Sequence, residues 1–274
     1  MNPPLEIRAA FPPRPADAHK RSVGTVAVVG GSPRYPHAPV VAALGARAAG
    51  AGLVQLAVPD ASRCAAAALV PEATFADPAA GVPPADVTVV GMGLGTDAAA
   101  EELVARVLSG GGRLVVDADA LTILARRGGV PACAPAADRA LVLTPHEGEA
   151  ARLLASTPAD VKGDRAGAAR AIAARYGATV VLKGPHTLVV SPDGRRVYEN
   201  ATGNPAMALG GMGDLLAGVV GARWAYLGGD PFPAAAAAVW LHGAAGDSLV
   251  AEGVDPSLVN TARALGGLRV RLDL

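Results

Sequence analysis

Apolar residues in this chain gather in short unbroken blocks and seldom alternate with polar ones. Six such blocks, at 25–29, 53–58, 87–90, 114–117, 141–144 and 179–183, are rich in valine and leucine. A strand with one wet face alternates in polarity, so unbroken runs imply burial on both faces and hence a mainly parallel sheet. Helical patterns lie between the blocks. Asp164 is placed to cap a helix in which Ala169, Ile172 and Tyr176 share one face, and Gly177 is placed to end it. Shorter helices are predicted at 101–108 and 147–155. The stretch 215–227 is apolar almost all round and reads as a buried central helix. Strands alternating with helices predict a three-layer α/β/α domain with right-handed crossovers, one domain spanning 1–274. The Pro/Ala-rich stretches at 76–85 and 131–138 read as surface loops. In such folds ligands sit beyond the carboxyl ends of the strands, so residues just after each block carry most weight.

Composition narrows the classes. Lysine plus arginine and aspartate plus glutamate number 24 each, so no charge excess favours nucleic acid or an anionic membrane. No uncharged apolar run reaches the roughly 20 residues of a bilayer span. The longest candidate, 232–246, is too short and is interrupted by Pro233. Two cysteines, Cys64 and Cys133, provide neither a disulfide framework nor a four-thiolate metal site, and a reducing cytoplasm is expected.

The most informative segment runs from Asn200 to Gly218. Gly210, Gly211 and Gly213 immediately precede the buried helix, where bare backbone and a helix N-terminus together suit a transferring phosphoryl group. Asp214 follows in the first turn, beside those amides, and is the candidate base for an attacking hydroxyl. A plain glycine turn capped by aspartate is the bland alternative. Three glycines, a carboxylate and a wholly apolar helix in one short stretch favour the catalytic reading.

Gly210-Gly-Met-Gly-Asp-Leu-Leu-Ala-Gly218 resembles the anion-hole motif of ribokinase-like folds. Its preface Gly203-Asn-Pro-Ala-Met-Ala is similar to that of the ADP/ATP-dependent NAD(P)H-hydrate dehydratases. Other motifs resemble that family in the same order. These are Val28-Val-Gly-Gly-Ser32, Arg47-Ala-Ala-Gly-Ala-Gly-Leu-Val54, Gly93-Leu-Gly95, Asp117-Ala-Asp-Ala-Leu121, Leu143-Thr-Pro-His-Glu-Gly-Glu149, Val181-Leu-Lys-Gly184 and Leu241-His-Gly243. The similarity covers residues 18 to 250. Met212 stands where the family usually has serine, Met92 where it has proline, and Arg21-Ser22 where it has a glycine-acidic pair.

The resemblance implies a ribokinase-like, ADP- or ATP-dependent hydro-lyase that repairs hydrated NADH and NADPH, with ADP the donor usual in bacterial members. It implies substrate contacts at Ala38, Gly93, Gly95, His146 and Asp214. Nucleotide contacts are implied at Lys183, Gly184, Pro185, His186, Thr187, Gly211 and Gly213. Mg2+ is expected with the nucleotide; its ligands stay open, although Asp117 and Asp119 could act through water. A cytoplasmic homotetramer and a separate epimerase are further implications. His242, in an alanine-rich stretch, reads as a packed histidine.

Two other functions compete with this one. Val89-Val-Gly-Met-Gly-Leu-Gly95 followed by Asp117 and Asp119 imitates a dinucleotide fingerprint, but its third glycine comes one position early. A vitamin-precursor kinase of the same fold would use the same anion hole and aspartate. The Thr144–Glu149 and Gly203–Ala208 stretches favour the dehydratase branch.

Overall fold

The apolar blocks become strands because helices cover both of their faces. The structure is a computed structural model that describes residues 2–129 and 139–273. Its strands are β1 (Thr25–Val29), β2 (Leu53–Ala57), β3 (Thr74–Ala76), β4 (Val87–Val90), β5 (Gly112–Val116), β6 (Arg139–Leu143), β7 (Thr179–Leu182), β8 (Leu188–Val190) and β9 (Val197–Glu199). They form one sheet in the order β3-β2-β1-β4-β5-β6-β7-β8-β9. Pairing is parallel from β3 through β7 and antiparallel at β7–β8 and β8–β9.

The helices are α1 (Leu5–Arg8), α2 (Ala38–Ala48), α3 (Asp60–Leu69), α4 (Ala98–Ser109), α5 (Ala118–Arg126), α6 (Glu147–Leu154), α7 (Pro158–Gly163), α8 (Arg165–Tyr176), α9 (Met212–Leu227), α10 (Pro231–Ala251) and α11 (Leu258–Asp273). Alternate strand residues feed two cores. Val26, Val28, Val89, Val115, Val142 and Val181 join the layer built by α2, α9, α10 and α11. Val29, Val90, Val116, Leu143 and Leu182 join the layer of α4, α5, α6 and α8. The result is the three-layer, mainly parallel architecture that the unbroken blocks predict.

The six predicted strands are present with ends shifted by a residue or two. The block at 114–117 stops at Val116, and Asp117 instead caps α5. Asp164 accepts the Gly167 N–H at 2.8 Å, and Gly177 ends α8 in the left-handed region. The central helix begins earlier than the apolar pattern, at Met212, because Met212, Gly213 and Asp214 already form its first turn. Three short strands, β3 and β9 at the two edges and β8 beside β9, add to the predicted six. Pro233 does not interrupt the apolar stretch at 232–246. It lies in the first turn of α10, where backbone N–H groups have no intrahelical acceptor. Among the described residues no helix is long and apolar enough to cross a membrane. The loop at 76–85 holds one 3₁₀ turn, Pro78–Ala80; the stretch at 131–138 and Cys133 lie outside the described residues.

Candidate active site

The carboxyl ends of the strands and the start of α9 meet at one place. Gly211 caps α9 with φ 92°, a left-handed backbone that favours glycine. A Cβ on Gly213 would lie 3.2 Å from Lys183 Nζ, so the bare backbone sets the helix N-terminus against the lysine. Met212 turns its side chain inward against Val41, Leu215 and Ala262. The residue that replaces the family's serine therefore packs, and its N–H donates to the Leu209 carbonyl at 3.3 Å.

Lys183 follows β7, and its N–H donates to the Pro145 carbonyl at 2.8 Å, tying the ends of β6 and β7 together. Its ammonium lies 2.6 Å from Asp117 Oδ1 and 3.8 Å from Glu149 Oε2. Burial acts to lower the Lys183 pKa, but the charges of Asp117 and Glu149 outweigh it and the net direction is upward. Asp117 is almost wholly buried, and its Oδ2 has no hydrogen-bond partner. Asp214, in the first turn of α9, is pushed up to about 7. Burial is the main cause, Asp117 adds to it, and Lys183 opposes it. Ala118, between Asp117 and Asp119, holds φ 51°, an uncommon backbone for a residue with a side chain and one that gathers at functional sites.

Of the expected substrate residues, Gly95 and His146 bond carboxylates next to this centre. The Gly95 N–H donates to Asp119 Oδ2 at 2.8 Å. A Cβ on Gly93 would come within 3.0 Å of the Ala38 Cβ and 2.7 Å of the Tyr35 Cβ, so these three crowd one turn. His146 caps α6: its Nδ1 accepts N–H groups from Gly148 and Glu149, while Glu149 accepts the His146 N–H at 2.7 Å. With Nδ1 committed as acceptor, the proton of the neutral ring sits on Nε2, on a side chain that is 54% exposed.

The expected nucleotide residues line a cavity of about 520 Å³. Lys183, Gly184, Pro185, His186, Thr187 and Gly213 all face it, and Gly211 stands behind them at the cap. His186 lies at the rim, 69% exposed, with φ 54° and its Nδ1 3.3 Å from Glu199. The opposite wall is the 200–208 loop, clamped to α10. Asp247 accepts the Gly203 N–H and the Asn204 side-chain amide, both at 2.9 Å. A Cβ on Gly243 would lie 2.4 Å from Thr202 Oγ1, and one on Gly246 2.2 Å from Met207 Sδ. The Leu241-His-Gly243 motif thus lets the loop sit down on the helix.

Sequence reasoning did not single out Glu149, Arg165 or Asp247. Glu149 carried a readable signal, a carboxylate three residues into a helix whose cap it completes. Arg165 carried none. Its guanidinium binds Glu147 at 2.5 Å and donates to the Leu182 and Lys183 carbonyls, so it fastens the histidine loop to the nucleotide loop.

Comparison with known proteins assigns the chain to a family. The model of the NAD(P)H-hydrate dehydratase family matches residues 26–263. The ADP-dependent (S)-NAD(P)H-hydrate dehydratase of Neisseria meningitidis is 45% identical over 248 residues, covering 89% of this chain and 83% of that one. The bifunctional NAD(P)H-hydrate repair enzyme of Gloeobacter violaceus is 44% identical over 90% of this chain, which spans about half (50%) of that relative's length. The crystal structure of the ADP/ATP-dependent NAD(P)H-hydrate dehydratase from Bacillus subtilis, co-crystallised with ATP and Mg2+, superposes with a TM-score of 0.86 at 30% identity. It covers 97% of this chain and 96% of that one. This chain belongs to the NAD(P)H-hydrate dehydratase family.

Proposed function

We propose that the protein is an ADP-dependent (S)-NAD(P)H-hydrate dehydratase that regenerates NADH and NADPH and releases AMP and phosphate. The observation that carries the reading is the placing of Asp214 at the glycine-built start of α9, within the field of the Lys183–Asp117 pair. Hydration of a reduced nicotinamide leaves a hydroxyl on the ring carbon beside nitrogen. Asp214 takes the proton of that hydroxyl as its oxygen attacks the terminal phosphorus of ADP, and AMP leaves. A base with a pKa near 7 is half ionised at neutral pH and still strong enough to accept the proton. The amides of Gly211 and Gly213 and the Lys183 ammonium face the charge on the transferring group. The phosphate ester then breaks at its carbon–oxygen bond, driven by the ring nitrogen's lone pair, and loss of a ring proton restores the dihydropyridine.

Magnesium fits this site through its donors. Asp117 offers a buried carboxylate oxygen with no other partner, and a hard oxygen donor of this kind suits an ion that keeps waters and phosphates as its remaining ligands. When bound, it would neutralise charge between the phosphates. Ala38, Gly93, Gly95 and His146 are assigned to the hydrated dinucleotide, and Lys183–Thr187 with Gly211 and Gly213 to ADP. We extend the proposal to a cytoplasmic homotetramer, which light scattering of the purified protein checks.

The test is absorbance at 340 nm after mixing protein, hydrated NADH, Mg2+ and either ADP or ATP. A rise that depends on nucleotide is expected, faster with ADP. No rise in a protein that binds both nucleotides would reassign the site to a small-molecule kinase. Asp214→Asn is expected to cut turnover by at least about 100-fold while sparing ADP binding; near-normal turnover removes the assigned role.

A further inference from the structure

Two loops assigned to different ligands meet where Lys183 lies 3.8 Å from Glu149. The Thr144–Glu149 loop is assigned to the hydrated dinucleotide, and Lys183–Thr187 to ADP. Transfer between the ligands needs the attacking oxygen and the phosphorus held in line, so the spacing of these loops is part of the chemistry. The backbone ties them through the Lys183 N–H and the Pro145 carbonyl. Arg165 adds a second tie. It opens α8, and a cation in the first turn of a helix works against the dipole, so nothing local favours arginine there. Its Nη1 donates to Glu147, next to His146, at 2.5 Å. Its Nη2 donates to the Leu182 and Lys183 carbonyls at 3.2 and 3.4 Å. The same guanidinium fills the space beside Gly184, where a Cβ would come 3.0 Å from Nη1 and 3.2 Å from Nη2.

Helix packing does not account for this arginine. Helices α6 and α8 already share a core through Ala150, Leu153, Ala169 and Ile172. At their far ends Arg175 Nη1 and the Tyr176 hydroxyl donate to the Leu153 carbonyl, at 2.9 and 3.2 Å. What Arg165 adds lies at the end of the pair that faces the reaction. We propose that Arg165 is a positioning residue: its planar fork sets the histidine loop against the nucleotide loop and so fixes the separation of hydroxyl and phosphorus, without touching either. This rests on the assignment of the two loops to dinucleotide and ADP. Without the fork each ligand still finds its own loop, but the two are no longer in register. The kinetic signature is therefore a fall in kcat with the KM values held.

Initial rates at 340 nm, with hydrated NADH and ADP varied in turn at fixed Mg2+, decide the matter beside thermal melts. Arg165→Met is expected to lower kcat about 10- to 100-fold, with both KM values within about threefold of wild type. Arg165→Lys keeps the charge but not the fork, and is expected to recover melting temperature without recovering kcat. Arg175→Met breaks the far tie of the same two helices, and is expected to lower the melting temperature while kcat stays within about twofold of wild type. If Arg165→Met does not fold, Glu147→Gln weakens one arm alone and is read by the same split, with kcat down about 3- to 10-fold. Wild-type kcat in the variant that is read overturns the proposal. So does a raised KM for ADP at unchanged kcat, which would make Arg165 a direct nucleotide contact. An equal fall of kcat in Arg175→Met also overturns it, since packing would then explain both. A wild-type protein that gives no nucleotide-dependent rise at 340 nm overturns the assignment of the loops themselves, and the proposal with it.

Discussion

Asp214 carries both the chemistry and a cost in stability. Its folded pKa of about 7 lies well above the ordinary 3.8, because burial and the Asp117 charge disfavour the carboxylate more than Lys183 favours it. In catalysis the sign is direct: below pH 7 the base is protonated, so kcat/KM is expected to fall with an acid limb near 7. Initial rates between pH 5.5 and 9 check this. In stability the sign reverses. The folded state holds this proton more tightly than the unfolded chain, so the group favours folding below about pH 4 and that advantage is lost as pH rises towards 7. Asp214→Asn is therefore expected to melt several degrees above the wild type at pH 8 and close to it at pH 4, measured by scanning calorimetry. Lys183 is the counterweight. Lys183→Met leaves Asp117 buried without its partner, and a loss of about 3–5 kcal/mol is expected in urea titration. Wild-type stability in that variant would mean Asp117 has another cation.

What aims Asp214 is the seating of α9 on α2. A Cβ on Gly45 would come 2.1 Å from the Leu215 carbonyl oxygen, and one on Gly218 would come 1.8 Å from that of Ala42. Neither contact is a movable side chain, so a methyl group must push the helices apart. Gly218→Ala is expected to cost at least about 3 kcal/mol and to lower kcat, since α9 carries the phosphoryl site at its start. Gly267→Ala in α11, where a Cβ meets only the end of Arg271, is expected to be neutral or to stabilise by up to about 1 kcal/mol. Thermal melts of the two variants separate packing from helix propensity. The same elements show what a sequence reveals. The six central strands were legible because both faces are buried, which leaves an unbroken apolar run. Helix α8 was legible because its cap, face and stop are all local. Strands β3, β8 and β9 have three residues each, and pairing with neighbouring strands, which local pattern does not encode, makes them strands. The glycine-aspartate segment was readable at the site because its parts adjoin in the chain. The Lys183–Asp117 pair, 66 residues apart, and the Asp247 clamp, 44 residues from Gly203, arise only when strands and helices are assembled.

Across the whole molecule, α9 works as an axle fixed at the end remote from the chemistry. Arg223 lies nine residues beyond Asp214, about 14 Å along the helix. It is fully buried with Asp273, its Nη1 3.1 Å from Oδ1 and 3.3 Å from Oδ2, and its Nη2 donates to the Ala10 carbonyl. Arg269 and Arg14 also approach Asp273, and the Arg14 N–H donates to the Asp273 carbonyl at 2.7 Å. One carboxylate thus joins the segment before β1, the end of α11 and the core helix. Burial lowers the Arg223 pKa although Asp273 opposes it, so the pair is held together against desolvation. Buried pairs of this kind are often replaceable by apolar residues but intolerant of losing one member. Asp273→Ala is therefore expected to cost about 3–5 kcal/mol and to lower the melting temperature by roughly 6–20 °C. Arg223→Met combined with Asp273→Leu is expected to recover most of that loss. In both variants, assayed well below the melt, kcat is expected to stay within about twofold of wild type, because the break lies about 14 Å along the helix from Asp214. A fall in kcat without a fall in melting temperature would show that this end of α9 sets the geometry of the other, and the axle would then be part of the catalytic apparatus.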